Sequence, residues 1–201
     1  MPGFLAPEEL AYWRAAPSAK RRLEFAGGRL ACKLSVTMLR AARGMPEIPF
    51  EKMIVTRPDG RYPVCMTPDG NRYNLALSHA GDLACAYCSS GQLLLGVDAE
   101  PVSRELQADP EFFHPLEARR ADGAEDILIS WLTKEAGAKL LGDGISPCFP
   151  QICTIKLNGR RYVVLPRSMA RRAAFLAFLL FRSQRYLCCV AVAALGQKNS
   201  L

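Results

Sequence analysis

The sequence predicts an α+β fold, and three observations carry that expectation. Apolar residues recur at helical spacing in two separate stretches, Ser18 to Arg43 and Asp109 to Leu141. Short apolar runs separated by turn dipeptides follow each of them. The resulting order of helix, strands, helix and strands divides the chain into two α+β halves, residues 1–100 and 101–201, joined near Pro101 to Pro110. With 201 residues, each half is long enough to bury a core.

The elements follow in order. Pro7-Glu8-Glu9 starts a short helix, since proline suits the first helical position and acidic residues suit the first turn. The longer helix over Ser18 to Arg43 rests on Leu23, Ala26, Leu30, Leu34, Met38 and Ala41, and Met45, Pro46 and Pro49 end it. Strands are expected at Met53–Thr56, Tyr73–Leu77, Leu83–Cys88 and Gln92–Val97. Asp59-Gly60, Asp69-Gly70, Gly81-Asp82 and Ser90-Gly91 mark the turns between them. The second helical region has Leu128, Trp131, Leu132, Ala136, Leu140 and Leu141 as its inner face and closes at Asp143-Gly144. Strands return at Ile152–Leu157, Tyr162–Leu165 and Tyr186–Ala193, with Asn158-Gly159 as a hairpin turn. No repeat is visible at the level of identical residues.

Half of the residues are apolar and 22% are charged, which excludes a disordered polar chain. The longest apolar run, Ala173 to Phe181, is nine residues between arginines, whereas a helix needs about 20 to span a bilayer. Met1 to Trp13 contains Glu8 and Glu9 and lacks the pattern of a secretory signal, so a cytoplasmic protein is expected. The net charge of +7 is uneven: +4 over residues 1–60, −2 over 61–100, −4 over 101–150 and +9 over 151–201. Basic ends around an acidic middle invite an acidic partner.

Eight cysteines include one CxxC, Cys85 and Cys88, and the adjacent Cys188 and Cys189. The two histidines, His79 and His114, supply no second ligand pair for zinc, so buried free thiols in a reducing compartment are expected.

Three segments could carry chemistry. Asp98 and Glu100, two apart on a strand, project to one side, and paired hard oxygen ligands suit Mg²⁺. Glu135 and Lys139 are an i,i+4 pair on a helix, and a surface pair of that kind is common. Gly137 between them costs about 1 kcal/mol relative to alanine and marks a close approach. Ser78 and His79, at a strand-to-turn junction, can donate to phosphate oxygens. Their opposite faces disfavour a Ser-His nucleophile pair. Neither GxSxG, Walker A nor GxGxxG occurs, which leaves hydrolase, P-loop and dinucleotide readings without support.

Together these segments are more specific than apart. The run SHAGDLACAYCSSGQLLLGVDAE, followed thirty-one residues later by WLTKEAGAK and then LGDGI, resembles the 4'-phosphopantetheinyl transferase superfamily in its larger, pseudodimeric class. KRRLEFAGGRLACK, Phe112 to Glu117 and Tyr186–Ala193 are similar to further segments of that family, so the resemblance covers nearly the whole chain. It implies two similar subdomains in a pseudo-twofold arrangement, and a monomer. It implies transfer of 4'-phosphopantetheine from coenzyme A to a serine of an acidic apo carrier protein, with release of adenosine 3',5'-bisphosphate. Asp98, Glu100 and Glu135 would hold Mg²⁺, and Glu135 would also be the general base. Lys139 would contact the pyrophosphate and stabilise the leaving phosphate. Ser78, His79, Arg57 and Arg61 would contact cofactor phosphates, as would Lys20 and Arg21 or Arg22. Tyr62 departs from the family pattern beside Arg61, and the N-terminal basic cluster fits more than one register, so Lys20, Arg21, Arg22 and Arg29 are alternatives for the phosphate contact. The acid-free last fifty-one residues, with Arg171, Arg172 and Arg182, are expected to help dock the carrier.

Two alternatives stand beside this reading. One is a non-catalytic binder of carrier or coenzyme A on the same fold. The other is a basic nucleic-acid-binding protein, for which the chain offers no reader motif.

Overall fold

The computed structural model of the chain describes residues 2–58, 60, 62–91, 93–142, 152–157, 160–164 and 173–195. It is mixed α+β, with five antiparallel strand pairs among the described residues, and divides into two compact units, Met1–Leu95 and Gly96–Leu201.

The first unit runs α1 (Pro7–Ala15), α2 (Ala19–Ala42), a 3₁₀ turn (Phe50–Lys52), then β1 (Ile54–Thr56), β2 (Val64–Met66), β3 (Arg72–Ala80) and β4 (Leu83–Ser90). The four strands pair in sequence order. Pro7 at the start of α1 lacks an N–H that would be unsatisfied there in any case, and Glu9 reaches back to the Ala6 N–H at 3.0 Å. Ser18 caps α2 by accepting from the Arg21 N–H.

The apolar period of α2 locates the helix but not its buried face. Leu23, Leu34 and Met38 are 74%, 44% and 71% exposed, while Gly28, Cys32, Lys33, Val36 and Arg40 point inward. Small residues let α2 lie close on the sheet, and its two inward cations have built-in partners. Arg40 donates to Asp69 and Tyr73, and Lys33 to Glu9. Cys32, Val36, Met53, Val55, Cys65, Tyr73 and Leu75 form the core cluster.

The second unit contains the end of β5 (Leu93–Pro101), then α3 (Pro115–Arg120), α4 (Ala124–Leu141), β6 (Cys153–Leu157), β7 (Arg160–Val164), β8 (Ala173–Arg182) and β9 (Tyr186–Leu195). Strands β5, β9 and β8 form one sheet in that order, and β6 with β7 another. The single helical region expected over Asp109 to Leu141 is instead two helices after an irregular start. Pro110 and Pro115 delay the first helix, and Gly123, at φ 146°, separates it from α4. Gly142, in the left-handed region at φ 75°, ends α4, while Asp143-Gly144 and Asn158-Gly159 lie outside the described residues. Two strands were not expected. One is the short β2, and the other is β8, the apolar run weighed above for a membrane span. β8 pairs with β9 from Ala173↔Leu195 to Arg182↔Leu187. No helix among the described residues is long and apolar enough to cross a membrane.

The same buried network recurs in both units. In the first, Lys33 of α2 donates to Glu9 of α1 and to the Phe4 carbonyl at 2.9 Å, and Glu9 accepts from the Val55 N–H of β1 at 3.0 Å. In the second, Lys134 of α4 meets Glu117 of α3 and donates to the Phe112 carbonyl at 2.7 Å, while Glu117 accepts from the Thr154 N–H of β6 at 2.8 Å. Each glutamate also closes the capping box of its own short helix. Both lysine side chains are 0% exposed, and such ions are tolerated only because every partner is in place.

Candidate active site

Each unit holds one group of side chains that is a candidate site by itself. The acidic group lies in the second. β5 carries Asp98 and Glu100, and α4 carries Glu135 and Lys139. What brings the two elements together is Gly96. A Cβ at that position would lie 1.9 Å from the Ala136 carbonyl oxygen and 2.6 Å from the Leu140 nitrogen, so only glycine permits the approach. Gly137, singled out from the sequence for this role, instead faces the ring of Phe178, whose atoms would be at 3.6 Å or more.

Lys139 donates to Asp98 Oδ1 at 2.6 Å, with the aspartate side chain 7% exposed. Glu100 is paired with Arg104, whose guanidinium lies 5.4 Å over the ring of Trp131. Burial pushes the Glu135 carboxyl above its ordinary range, and the Asp98 and Glu100 charges push it the same way against Lys139 and Arg104. Burial likewise raises Glu100, opposed by Arg104 and reinforced by Asp98. The three carboxylates therefore sense one another electrostatically. Among the described residues, no three His, Cys, Asp or Glu side chains stand close enough to form a metal-ligand cluster. Side-chain cations face two of these carboxylates instead.

The basic group lies in the first unit, around a cleft of about 560 Å³ between α2 and β3. Arg21, Phe25, Gly28, Arg29, Arg57 and His79 line it. Of the residues expected to contact phosphate, the fold thus brings Arg21, Arg57 and His79 together and adds Arg29, one of the alternatives in the basic cluster. The Arg29 guanidinium packs 4.4 Å over the Phe25 ring, and burial lowers its pKa against the pull of Glu9. His79 Nε2 lies 2.8 Å from the Glu24 carbonyl oxygen and rests against Gly28, where a Cβ would come within 2.9 Å of that nitrogen.

Lys20 is exposed and faces Glu24 at 3.8 Å, and Arg22 donates to the Ala16 carbonyl. Ser78 and His79 sit inside β3 rather than at its junction with the turn, because the hairpin pairs out to Ala80↔Leu83. Their alternation leaves His79 exposed and Ser78 buried. Arg61, Arg171 and Arg172 lie outside the described residues, and Arg182 pairs with Glu125 at 2.5 Å.

Sequence reasoning missed Arg104 and Gly96. Arg104 stands four residues beyond Glu100, but Pro101 gave no reason to read that spacing as helical. Gly96 was in view in LLLGVDAE, yet a strand glycine does not announce which backbone it meets. Among the described residues the cysteines are free. Burial pushes Cys32, Cys65 and Cys189 up to about 12, which keeps these thiols protonated at neutral pH. No protein-family model matches this chain, and no curated protein sequence matches it.

Proposed function

We propose that the chain is a Mg²⁺-dependent 4'-phosphopantetheinyl transferase that modifies a serine of an acidic apo carrier protein with coenzyme A as donor. The observation that carries the reading is the acidic group with its lysine: Asp98 and Glu100 on β5, and Glu135 and Lys139 on α4, held close at Gly96. The recurrent Lys-Glu network supports the finer reading that the two units are a duplicated, pseudo-twofold pair.

The donor set is all oxygen, as a hard divalent cation prefers, although the three side chains as they stand do not form a metal-ligand cluster. Asp98, Glu100 and Glu135 would hold it. When bound, Mg²⁺ neutralises charge on the pyrophosphate.

The chain's own residues do the rest. Glu135, a stronger base for being half-buried beside Asp98, takes the proton of the carrier serine hydroxyl. The serine oxygen attacks the phosphorus that bears pantetheine, and the bond to adenosine 3',5'-bisphosphate breaks. Lys139 donates to the departing phosphate oxygens, where negative charge accumulates. Arg21, Arg29, Arg57 and His79 would receive the phosphates at the adenosine end of coenzyme A, with Phe25 beside them.

The test is to incubate the protein with coenzyme A, Mg²⁺ and a panel of apo carrier proteins. The expected result is a mass gain of one phosphopantetheine on at least one carrier. Binding of coenzyme A without transfer, on carriers that a known transferase modifies, would replace this reading by the non-catalytic one.

A further inference from the structure

The apolar stripe that marks α2 in the sequence faces outward. Leu23, Gly27, Leu30, Leu34, Met38 and Ala41 recur every three or four residues and so lie on one line along the helix. Leu23, Leu34, Met38 and Ala41 are exposed, and Leu30 is half-buried. From Leu23 to Ala41 the line runs about 27 Å, or about five turns. No charged side chain stands on it. Lys33 and Arg40 are buried, Arg29 packs on Phe25 and faces Glu9, and Glu24 is held by Lys20 and Arg21. A single exposed leucine needs no account, but a continuous uncharged apolar face marks a contact surface.

We propose that this face is the contact between two copies of the chain, whose α2 helices pack antiparallel about a twofold axis near Leu30 and Ala31. The contact is independent of the transferase reading, and it replaces the monomer that the family resemblance implies.

Self-complementarity selects a second copy. In the antiparallel register Leu23 meets Met38 of the second copy, Gly27 meets its Leu34, and Leu30 meets its Ala31. A twofold contact requires such matching, since one patch serves both sides. The charges agree with it. Lys20 and Arg21, with side chains 85% and 71% exposed, stand at the N-terminal end of the stripe. They fall beside the C-terminal turn of the opposing helix, whose free carbonyls carry partial negative charge. Arg43, at the C-cap, lies about 160° round the helix from this line. Parallel packing would instead set like charges side by side. A lipid surface fits less well, because Glu24 borders the stripe and no cation flanks its middle. Two helices touching over five turns bury on the order of 1,000 Å² in total, the low end of specific interfaces, which sets a micromolar dimer.

Sedimentation equilibrium of the full chain, from about 2 to about 200 micromolar, tests this. The weight-average mass is expected to rise from the chain's 22.1 kDa toward twice that value. Leu34→Glu and Met38→Glu each put charge into the seam and should weaken association about tenfold or more. Leu23→Glu and Met38→Lys should each do the same alone. An equal mixture of those two should recover association, because the introduced charges meet only in the antiparallel register. Leu179→Glu, at an exposed position on β8, should associate like the unaltered protein. All the substituted positions are exposed, and circular dichroism checks that each variant melts as the unaltered chain does. A mass that stays at 22.1 kDa throughout overturns the proposal. So does association that every α2 variant retains, or a mixture that recovers nothing. A monomer that binds phosphatidylserine vesicles, and loses them in Leu34→Glu, overturns it in favour of a lipid surface.

Discussion

The two units share one anchoring device and differ in what is built beside it. Among the described residues each has a short helix, then a long helix followed by four strands, with the end of β5 preceding them in the second unit, and each fixes the long helix with a buried lysine on a glutamate of the short one. The next residue along the helix is Leu34 in the first unit and Glu135 in the second. Leu34 is 44% exposed and apolar, whereas Glu135 is half-buried beside two further carboxylates. The comparison separates two kinds of buried or half-buried charge. The lysine–glutamate pair is matched in both halves and serves the architecture. The carboxylate group is not repeated at Leu34, and burial, with neighbouring carboxylate charge, raises Glu135 and Glu100, as the proposed chemistry would use.

The largest expected effect breaks that asymmetry directly. Glu135→Gln should lower carrier modification by roughly 100-fold or more, the range for loss of a general base. Leu34→Gln, one residue after the other anchor lysine, should leave the rate unchanged. Rates with a modified carrier followed by mass spectrometry check both.

Removing either anchor lysine should cost stability rather than chemistry alone. Lys134→Met leaves the buried Glu117 without its lysine, a loss of about 3–5 kcal/mol that urea unfolding would read, and Lys33→Met should cost less because Arg29 still faces Glu9 at 3.4 Å. If one of them proves neutral, the network is not equivalent in the two units.

Gly96→Ala is expected to push β5 off α4 and impair carrier modification, because the added carbon would fall 1.9 Å from a backbone oxygen. Gly27→Ala, whose Cβ would meet Ala84 at an ordinary 3.6 Å, should be tolerated. The paired activities and melting temperatures decide this.

A smaller effect is the pH dependence of stability. Because the folded pKa of Glu135 lies above its unfolded value, its contribution is fully favourable below the unfolded pKa and is lost as pH rises through the folded one. Glu135→Gln should therefore raise the metal-free unfolding midpoint at pH 7, and the gain should disappear near pH 4, where carboxyls protonate. A lowered midpoint at pH 7 would mean that Glu135 is paired for stability, like Glu117.

The smallest effect concerns thiols. Cys32, Cys65 and Cys189, pushed up to about 12, should resist iodoacetamide at neutral pH, while the half-exposed Cys85 and Cys188 react first.

Much of this was legible in the chain alone. Periodicity placed α1, α2 and seven of the strands, because apolar spacing and turn residues act locally. The α2 stripe misled over which side is buried. Hydrophobic pattern cannot foresee a helix that buries Lys33 and Arg40 and exposes Leu23 and Met38. That outcome depends on Glu9, Asp69 and Tyr73, which come from other elements. The repeat was hidden for a related reason. The two networks share a Phe-x-x-Pro-x-Glu spacing, Phe4 to Glu9 and Phe112 to Glu117, but the step from glutamate to lysine differs, 24 residues against 17, and the residues between are unlike.

The sequence by itself determined the fold class, the order of elements and the candidate carboxylates, since these depend on residue type and local spacing. Only the tertiary structure decided that Gly96, rather than Gly137, is the point of close approach. It also decided that Lys139 faces Asp98, and that Arg21, Arg29, Arg57 and His79 share one cleft. Those are contacts between residues distant in the chain, and they exist only once the strands and helices have packed.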